Sequence, residues 1–526
     1  MQRTPRLLVR GIHATALLTA SIFLNAATAQ TPAPVTAPVQ MQAPAPAAPA
    51  APAAPHALPS TPQPSAEQLK ALPPATAQLV EKGRMVALAS DCAGCHTAPG
   101  SGKPFAGGYP LESPLGKIVA TNITPSKQFG LGNYTQEELS AAVRDGKRKD
   151  GAHLYPAMPY DSYAKMSDED LAALYAYLMH GVPAIEQPVE ETKLPFPFNM
   201  RWSMAFWNLL YLDKTRFQAD LSKSPEWNRG AYLTEGLEHC SACHTPRNTL
   251  MAADHSKSLA GSPLGAWYAP NITSDPISGI GGWSVEELVQ YLKTGRAEGK
   301  GQAAGGMAEA VENSLQFLPE SDLRAIAVYL KSTPPIRDAA DAKLTVAAHD
   351  SGAAHSDEAA MRGNLPQNSV APLTSGASLF SGYCASCHQA TGSGTPDQAY
   401  PSLHHNTATG MSRPDNLIAA ILFGVQRNAN GVEVLMPRFD EKSYVDPLTN
   451  EQIAAIANHV LKHYGPATSS HVTPQDVQQA RQGGPQPFLA KAQPYIAPAM
   501  VVIGLLVVLL LWWLVRRRRR GYQRYL

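Results

Sequence analysis

Six cysteines occur in the 526-residue chain, and all six fall into three short clusters, each closed by a histidine. These are Cys92-Ala-Gly-Cys95-His96, Cys240-Ser-Ala-Cys243-His244 and Cys384-Ala-Ser-Cys387-His388. One turn of helix in such a cluster sets two thiols where they can add to the two vinyl groups of a haem, and the adjacent imidazole can ligate the iron. Other uses of a C-x-x-C pair fit less well. A structural zinc site wants four ligands, whereas each cluster supplies three and no cysteine is left over. A thioredoxin-like pair needs a βαβ setting that the helical pattern here does not offer. A disulfide across two intervening residues closes a loop too small to stabilise much. The clusters therefore point to three covalently bound haems c.

Each iron then needs a sixth ligand or an open face. Met158, in YPAMPY, lies 62 residues after His96, and Met307, in GGMAEAV, lies 63 after His244. Met436, in VLMPRF, follows His388 by 48 residues and precedes the last helix of its segment. A methionine is ordinarily core filler, but the shared register and the Met-Pro or Gly-Met loop context assign these three as axial ligands opposite His96, His244 and His388. Met411, only 23 residues after His388, is the competitor in the third segment. His/Met ligation closes an iron to substrates and raises its potential, which suits electron transfer. His404 with His405, and His459 with His463, could ligate a metal or the third haem; the i, i+4 pair reads better as a solvated helix face.

The elements that hold these residues repeat. GKIVATNITPSKQFGLGNYTQEELSAAVRDGKRKDG from Gly116 parallels GAWYAPNITSDPISGIGGWSVEELVQYLKTGRAEGK from Gly265 at a constant offset of 149, which pairs Asn122 with Asn271, Gly146 with Gly295 and Met158 with Met307. Two homologous domains in tandem follow. A third, more divergent unit opens near Ser375. Apolar residues at three- and four-residue spacing in DNLIAAILFGV and NEQIAAIANHVLKHYG predict helices, as do the acid-headed segments SDEDLAALYAYLMHG and PESDLRAIAVYLKS. Period-two alternation is scarce. The expected fold is mainly α: three tandem cytochrome c-type domains over 75–190, 223–335 and 371–466, plus one C-terminal transmembrane helix. An aromatic joint, 191–222, connects the first two, and polar linkers occupy 336–370 and 467–494. The joint LPFPFNMRWSMAFWNLLYLD suits either packing between domains or docking of a partner.

Both ends carry membrane signals. Residues 1–29 hold three arginines, a short apolar run and Ala27-Thr28-Ala29, the pattern of a cleaved secretory signal peptide. An Ala/Pro-rich arm, 30–74, with eleven prolines from Pro32 to Pro64, is expected to be disordered. Residues 495–515 are 21 residues without a charge, about 31 Å as a helix, enough to cross a hydrocarbon layer of roughly 30 Å. The basic tail 516–526 opens on five arginines, which places that end in the cytoplasm and the remainder outside it. Without the nine terminal arginines, residues 30–515 hold 34 basic against 42 acidic side chains, net −8, which argues against nucleic acid as a partner.

With these motifs in hand, the chain resembles the triheme cytochrome c subunits of membrane-bound, quinone-linked alcohol, aldehyde and sugar dehydrogenases of acetic acid and related bacteria. The resemblance spans roughly residues 75–466 and rests on the three CxxCH sites, the ATNIT and APNIT segments, PFPFNMRW, GGMAEAVENS and the closing helices. It implies a subunit on the periplasmic side of the bacterial inner membrane that takes electrons from a dehydrogenase catalytic subunit and passes them to ubiquinone, with no substrate chemistry of its own. The long arm and the single strong C-terminal span depart from the alcohol dehydrogenase members and leave the partner open between a quinoprotein, a flavoprotein and a molybdenum enzyme. Rival functions are a haem peroxidase, which needs an iron without a methionine, and an electron donor to a terminal oxidase.

Overall fold

Each cysteine cluster is framed by the same crossing of helices, and a glycine makes each crossing possible. The computed structural model describes residues 61–361, 373–466 and 469–522. The expected signal peptide, the arm up to residue 60 and the end of the basic tail lie outside them. In the first bundle, the opening helix Pro74–Ala89 runs into Cys92–His96 and is crossed by the closing helix Asp168–His180. In the second, Pro225–Tyr232 leads to the cluster and Glu320–Lys331 crosses it. In the third, Gly376–Tyr383 and Asn450–Tyr464 repeat the arrangement. A Cβ on Gly83 would lie 1.9 Å from the Ala173 carbonyl oxygen; on Gly230, 1.9 Å from that of Ala325; on Gly376, 2.4 Å from that of Ala455. Backbone meets backbone at these three points, which only glycine permits.

Middle helices complete each bundle. Gln136–Asp145 and Val285–Thr294 have the same ends at the repeat offset. Thr135 with Glu138, and Ser284 with Glu287, form capping boxes, and Gly146 and Gly295 close the helices in the left-handed region at φ 60° and 73°. The third bundle uses Asp415–Phe423. Val86, Leu139 and Leu174 share one continuous core with Leu233, Leu288 and Ile326, so the first two bundles are fused through apolar contact. Leu379, Phe380, Leu417, Ile453 and Val460 belong to a separate core in the third.

The scarcity of strands holds only in part, since four short antiparallel hairpins occur among the described residues. The longest pairs Val425–Ala429 with Val432–Met436, Arg427 opposite Val434 and Val425 opposite Met436. It carries Arg427 into the second bundle, where the buried guanidinium donates to the Ala303 carbonyl at 2.6 Å and to Gln302 Oε1 at 2.9 Å.

Segments expected to be linkers are packed instead. Within 336–370, Asp338 pairs with Arg413 at 3.2 Å, and His349, only 3% exposed, meets the Trp283 ring edge-on at 6.1 Å. Within 467–494, helix Pro474–Arg481 buries Val477 and Ala480 on the third bundle. The arm is likewise docked at its end: Thr61 is buried, and the Pro62 carbonyl accepts from Tyr177 Oη at 2.7 Å. The C-terminal helix starts earlier than expected, running Phe488–Tyr522. Pro494 and Pro498 lie inside it; each forfeits one backbone hydrogen bond without ending the helix. Its Phe488–Arg517 stretch is the one helix among the described residues long and apolar enough to cross a membrane, and none of its most apolar window is buried in the protein.

Helix Ser203–Tyr211 of the aromatic joint has two faces. Trp207 packs with Tyr160 and Ala252, and its Nε1 donates to the Leu250 carbonyl at 3.0 Å, stitching the first bundle to the second. Phe206, Leu209 and Leu210 on the other face are exposed.

Candidate functional site

In each cluster a helical turn ends on a histidine whose ring is held the same way. His96 Nδ1 lies 2.6 Å from the Thr121 carbonyl oxygen, His244 Nδ1 2.6 Å from that of Pro270, and His388 Nδ1 2.8 Å from that of Pro401. A carbonyl only accepts, so Nδ1 carries the proton in all three and Nε2 keeps its lone pair for a ligand. Burial holds all three imidazoles below the usual histidine range, the carbonyl contact opposing it in part, so the neutral form persists.

The carbonyls are themselves positioned by sequence. Thr121 and Pro270 immediately precede Asn122 and Asn271, the repeated asparagines. Asn122 Oδ1 accepts from the Thr124 amide at 2.9 Å and from Thr124 Oγ1 at 2.7 Å, while its Nδ2 donates to the Ile185 carbonyl at 2.9 Å. Asn271 does the same with Thr273, at 2.8 and 2.7 Å, and with the Ile336 carbonyl at 2.6 Å. The NIT segments are thus brackets that aim a backbone oxygen at the histidine. Sequence reasoning found the repeat but not this role, because any residue type supplies a carbonyl.

None of the six cysteines is joined to another in a disulfide. Burial, then the neighbouring Asp91, pushes Cys92 and Cys95 up to about 12, and burial pushes Cys384 up to about 12. Two cysteines outside any disulfide, beside a histidine whose Nδ1 is tied to a carbonyl, fit covalent haem in each cluster.

The first two clusters approach one another. Asp91 and Glu309 are near enough to act electrostatically on both Cys95 and Cys243. Helix Gly306–Asn313, which carries Met307 in its first turn, lies against Cys92–His96. Met307 is therefore helical rather than in the expected loop. Met158 and Met307 border the core shared with Cys92 and Cys240; Met436, closing its hairpin strand, borders the core shared with Cys384.

His459 and His463 do not form the expected solvated face. Their side chains are 8% and 11% exposed and both face Asp357 at 3.6 Å.

A cytochrome c family profile matches residues 80–181 and 373–463. The chain is 48% identical over 415 residues to the fructose dehydrogenase cytochrome subunit of Gluconobacter japonicus, covering 78% of this chain and 84% of that one. It is 38% identical to the gluconate 2-dehydrogenase cytochrome c subunit of Pantoea cypripedii, covering 77% and 90%. To the cytochrome c subunit of the quinone alcohol dehydrogenase of Gluconobacter oxydans (strain 621H) it is 35% identical, covering 77% and 83%. The chain belongs to the family of dehydrogenase cytochrome c subunits. As a cytochrome c it carries covalently bound haem c and transfers electrons. In this cytochrome the glycine crossings set the helix that presents each CxxCH, which makes Gly83, Gly230 and Gly376 positioning residues that the spacing of the cysteines did not reveal.

Proposed function

We propose that this cytochrome holds three haems c, one in each bundle acting as a cytochrome c domain, and relays electrons from a dehydrogenase catalytic subunit to ubiquinone. Cys92 and Cys95, Cys240 and Cys243, and Cys384 and Cys387 provide the thioether links. His96, His244 and His388 ligate the irons through Nε2, and Met158, Met307 and Met436 complete them. Haem held by these histidines and methionines would supply one-electron transfer at a raised potential, without a place for substrate. The helix from Phe488 spans the bacterial inner membrane once, the arginine block at the cytoplasmic side and the haem bundles in the periplasm. The partner, a quinoprotein, flavoprotein or molybdenum enzyme, performs the substrate oxidation.

The observation that carries this reading is the threefold recurrence of one arrangement: two cysteines outside any disulfide, one helical turn apart, beside a histidine whose Nδ1 is tied to a carbonyl. Haem quantified against protein in the purified chain gives a ratio of three, and denaturing gels keep the haem stain on it. A ratio near one overturns the proposal. Replacing Met158, Met307 or Met436 each removes about one third of the long-wavelength sulfur-to-iron band; a variant without effect is struck from the ligands. Alone, the purified chain oxidises no alcohol, aldehyde or sugar, yet its haems are reduced once the catalytic subunit and substrate are added.

A further inference from the structure

The joint helix Ser203–Tyr211 leaves an apolar face uncovered. Residues 202–212 run for eleven positions without a charge. Trp202, Phe206, Leu209 and Leu210 fall at i, i+4, i+7 and i+8, which puts them on one stripe, and all four are exposed, Leu209 to 81%. The opposite face is fastened to the protein. Trp207 is buried there, and its ring lies 5.4 Å from that of Tyr211. Asn208 Nδ2 donates to the Asp145 carbonyl at 3.1 Å, while its Oδ1 accepts from Tyr160 Oη at 2.8 Å. The exposed stripe is thus held outward and cannot roll inward to bury itself.

We infer that this stripe lies in the surface of the same bilayer that the helix from Phe488 crosses, a second lipid contact on the periplasmic side; the inference rests on reading that helix as a membrane span. A contiguous exposed apolar face marks a protein or a membrane contact, and the path of the chain decides between them. Gln493 Nε2, in the membrane helix just ahead of its uncharged run, donates to the Phe196 carbonyl at 3.1 Å. Phe196 is itself exposed, and Trp202 follows six residues later, within about 20 Å of chain. Just before the helix, Gly484 is pressed onto Gly265, where a Cβ would lie 1.8 Å from the carbonyl oxygen. The joint and the second bundle are therefore both tied to the place where the chain enters lipid.

The residue types suit the boundary between headgroups and acyl chains. Trp202 and Phe206 meet edge-on at 6.1 Å, and an indole can keep its N–H toward headgroup water while its ring is buried in lipid. Two leucines extend the apolar surface along the helix. Four side chains are too few to hold the protein on the bilayer by themselves. Their effect is orientation: with the helix from Phe488 as one contact and the stripe as the other, the haem bundles cannot swing freely about the membrane helix, and one side of them faces the lipid.

The test uses the full-length, haem-loaded chain in nanodiscs of phosphatidylcholine and phosphatidylglycerol. The photo-crosslinker p-benzoylphenylalanine is placed at Phe206, at Leu209, at Leu506 within the membrane helix, or at Glu169, whose side chain is 88% exposed. Phe206 and Leu209 are open enough that the change leaves haem content and visible spectrum as in the parent. After irradiation, mass spectrometry finds lipid adducts at 206, 209 and 506 and none at 169. Phe206→Ser combined with Leu210→Ser loses the adduct at 209 and keeps that at 506. Adducts at 506 but at neither 206 nor 209, or adducts at 169 as abundant as at 209, overturn the inference and leave the membrane span standing. No adduct at 506 overturns the span and the inference with it. In native membranes that hold the whole complex, a crosslink from 209 to a second polypeptide in place of lipid assigns the face to a protein partner and likewise overturns the inference.

Discussion

Glu238 is buried two residues before Cys240, accepts from Ser314 Oγ at 2.9 Å and has no ion-pair partner among the described residues. Burial holds its carboxyl well above the usual carboxylate range, Ser314 opposing this and Asp91 adding to it. A carboxyl raised on folding binds more protons in the folded than in the unfolded chain from the ordinary carboxylate pKa upward, so stability falls as pH climbs through that window. Glu238→Gln keeps the Ser314 contact and removes the titration. The variant therefore matches the parent in acid and exceeds it increasingly toward neutral and alkaline pH, as denaturant midpoints measured across pH will show. Asn271→Ala strands the groups its buried side chain serves and costs about 2–3 kcal/mol, read from the urea midpoint at unchanged slope. At this scale the cysteines and histidines of the three clusters were legible because their spacing is local. Their carbonyl partners, 25, 26 and 13 residues further on, were not, since backbone oxygens leave no trace in residue type. Nor could His459 and His463 announce Asp357, which reaches them from a different element.

Among the elements, the glycine crossings are the least forgiving. Gly230→Ala drives a methyl into the Ala325 carbonyl and forces the opening and closing helices of the second bundle apart. The expected loss is about 3 kcal/mol or more, seen as a lowered melting temperature together with reduced haem content. Gly504→Ala, where a Cβ meets nothing within 4 Å, leaves the melt unchanged and serves as the control. Helices with acidic starts and apolar stripes were readable, and the capping boxes at Thr135 and Ser284 follow the repeat. The hairpins escaped because strands of two to five residues are too short to show alternation. The linkers misled for another reason: alanine and polar residues look unattached, yet small side chains and side-chain-to-backbone bonds are what let 339–351 and 474–481 pack closely.

For the whole molecule, the C-terminal helix sets the expected behaviour. A chain stopped after Pro487 loses the entire helix, and with it the bond from Gln493 Nε2 to the Phe196 carbonyl at 3.1 Å, while both cores remain intact. It should fold, keep its haems and leave the membrane fraction, with quinone-linked respiration depressed far more than reduction of a soluble dye. Retention in the membrane after high-salt washing refutes this, and equal loss of both activities assigns the helix to assembly instead. The hairpin that joins the second and third bundles has a mechanical consequence. One of its strands is locked by Arg427 into the backbone of the second bundle, and the other ends at Met436 beside the core of the third. A paired ribbon fastened in this way at both ends is a strut between the two bundles rather than a free loop.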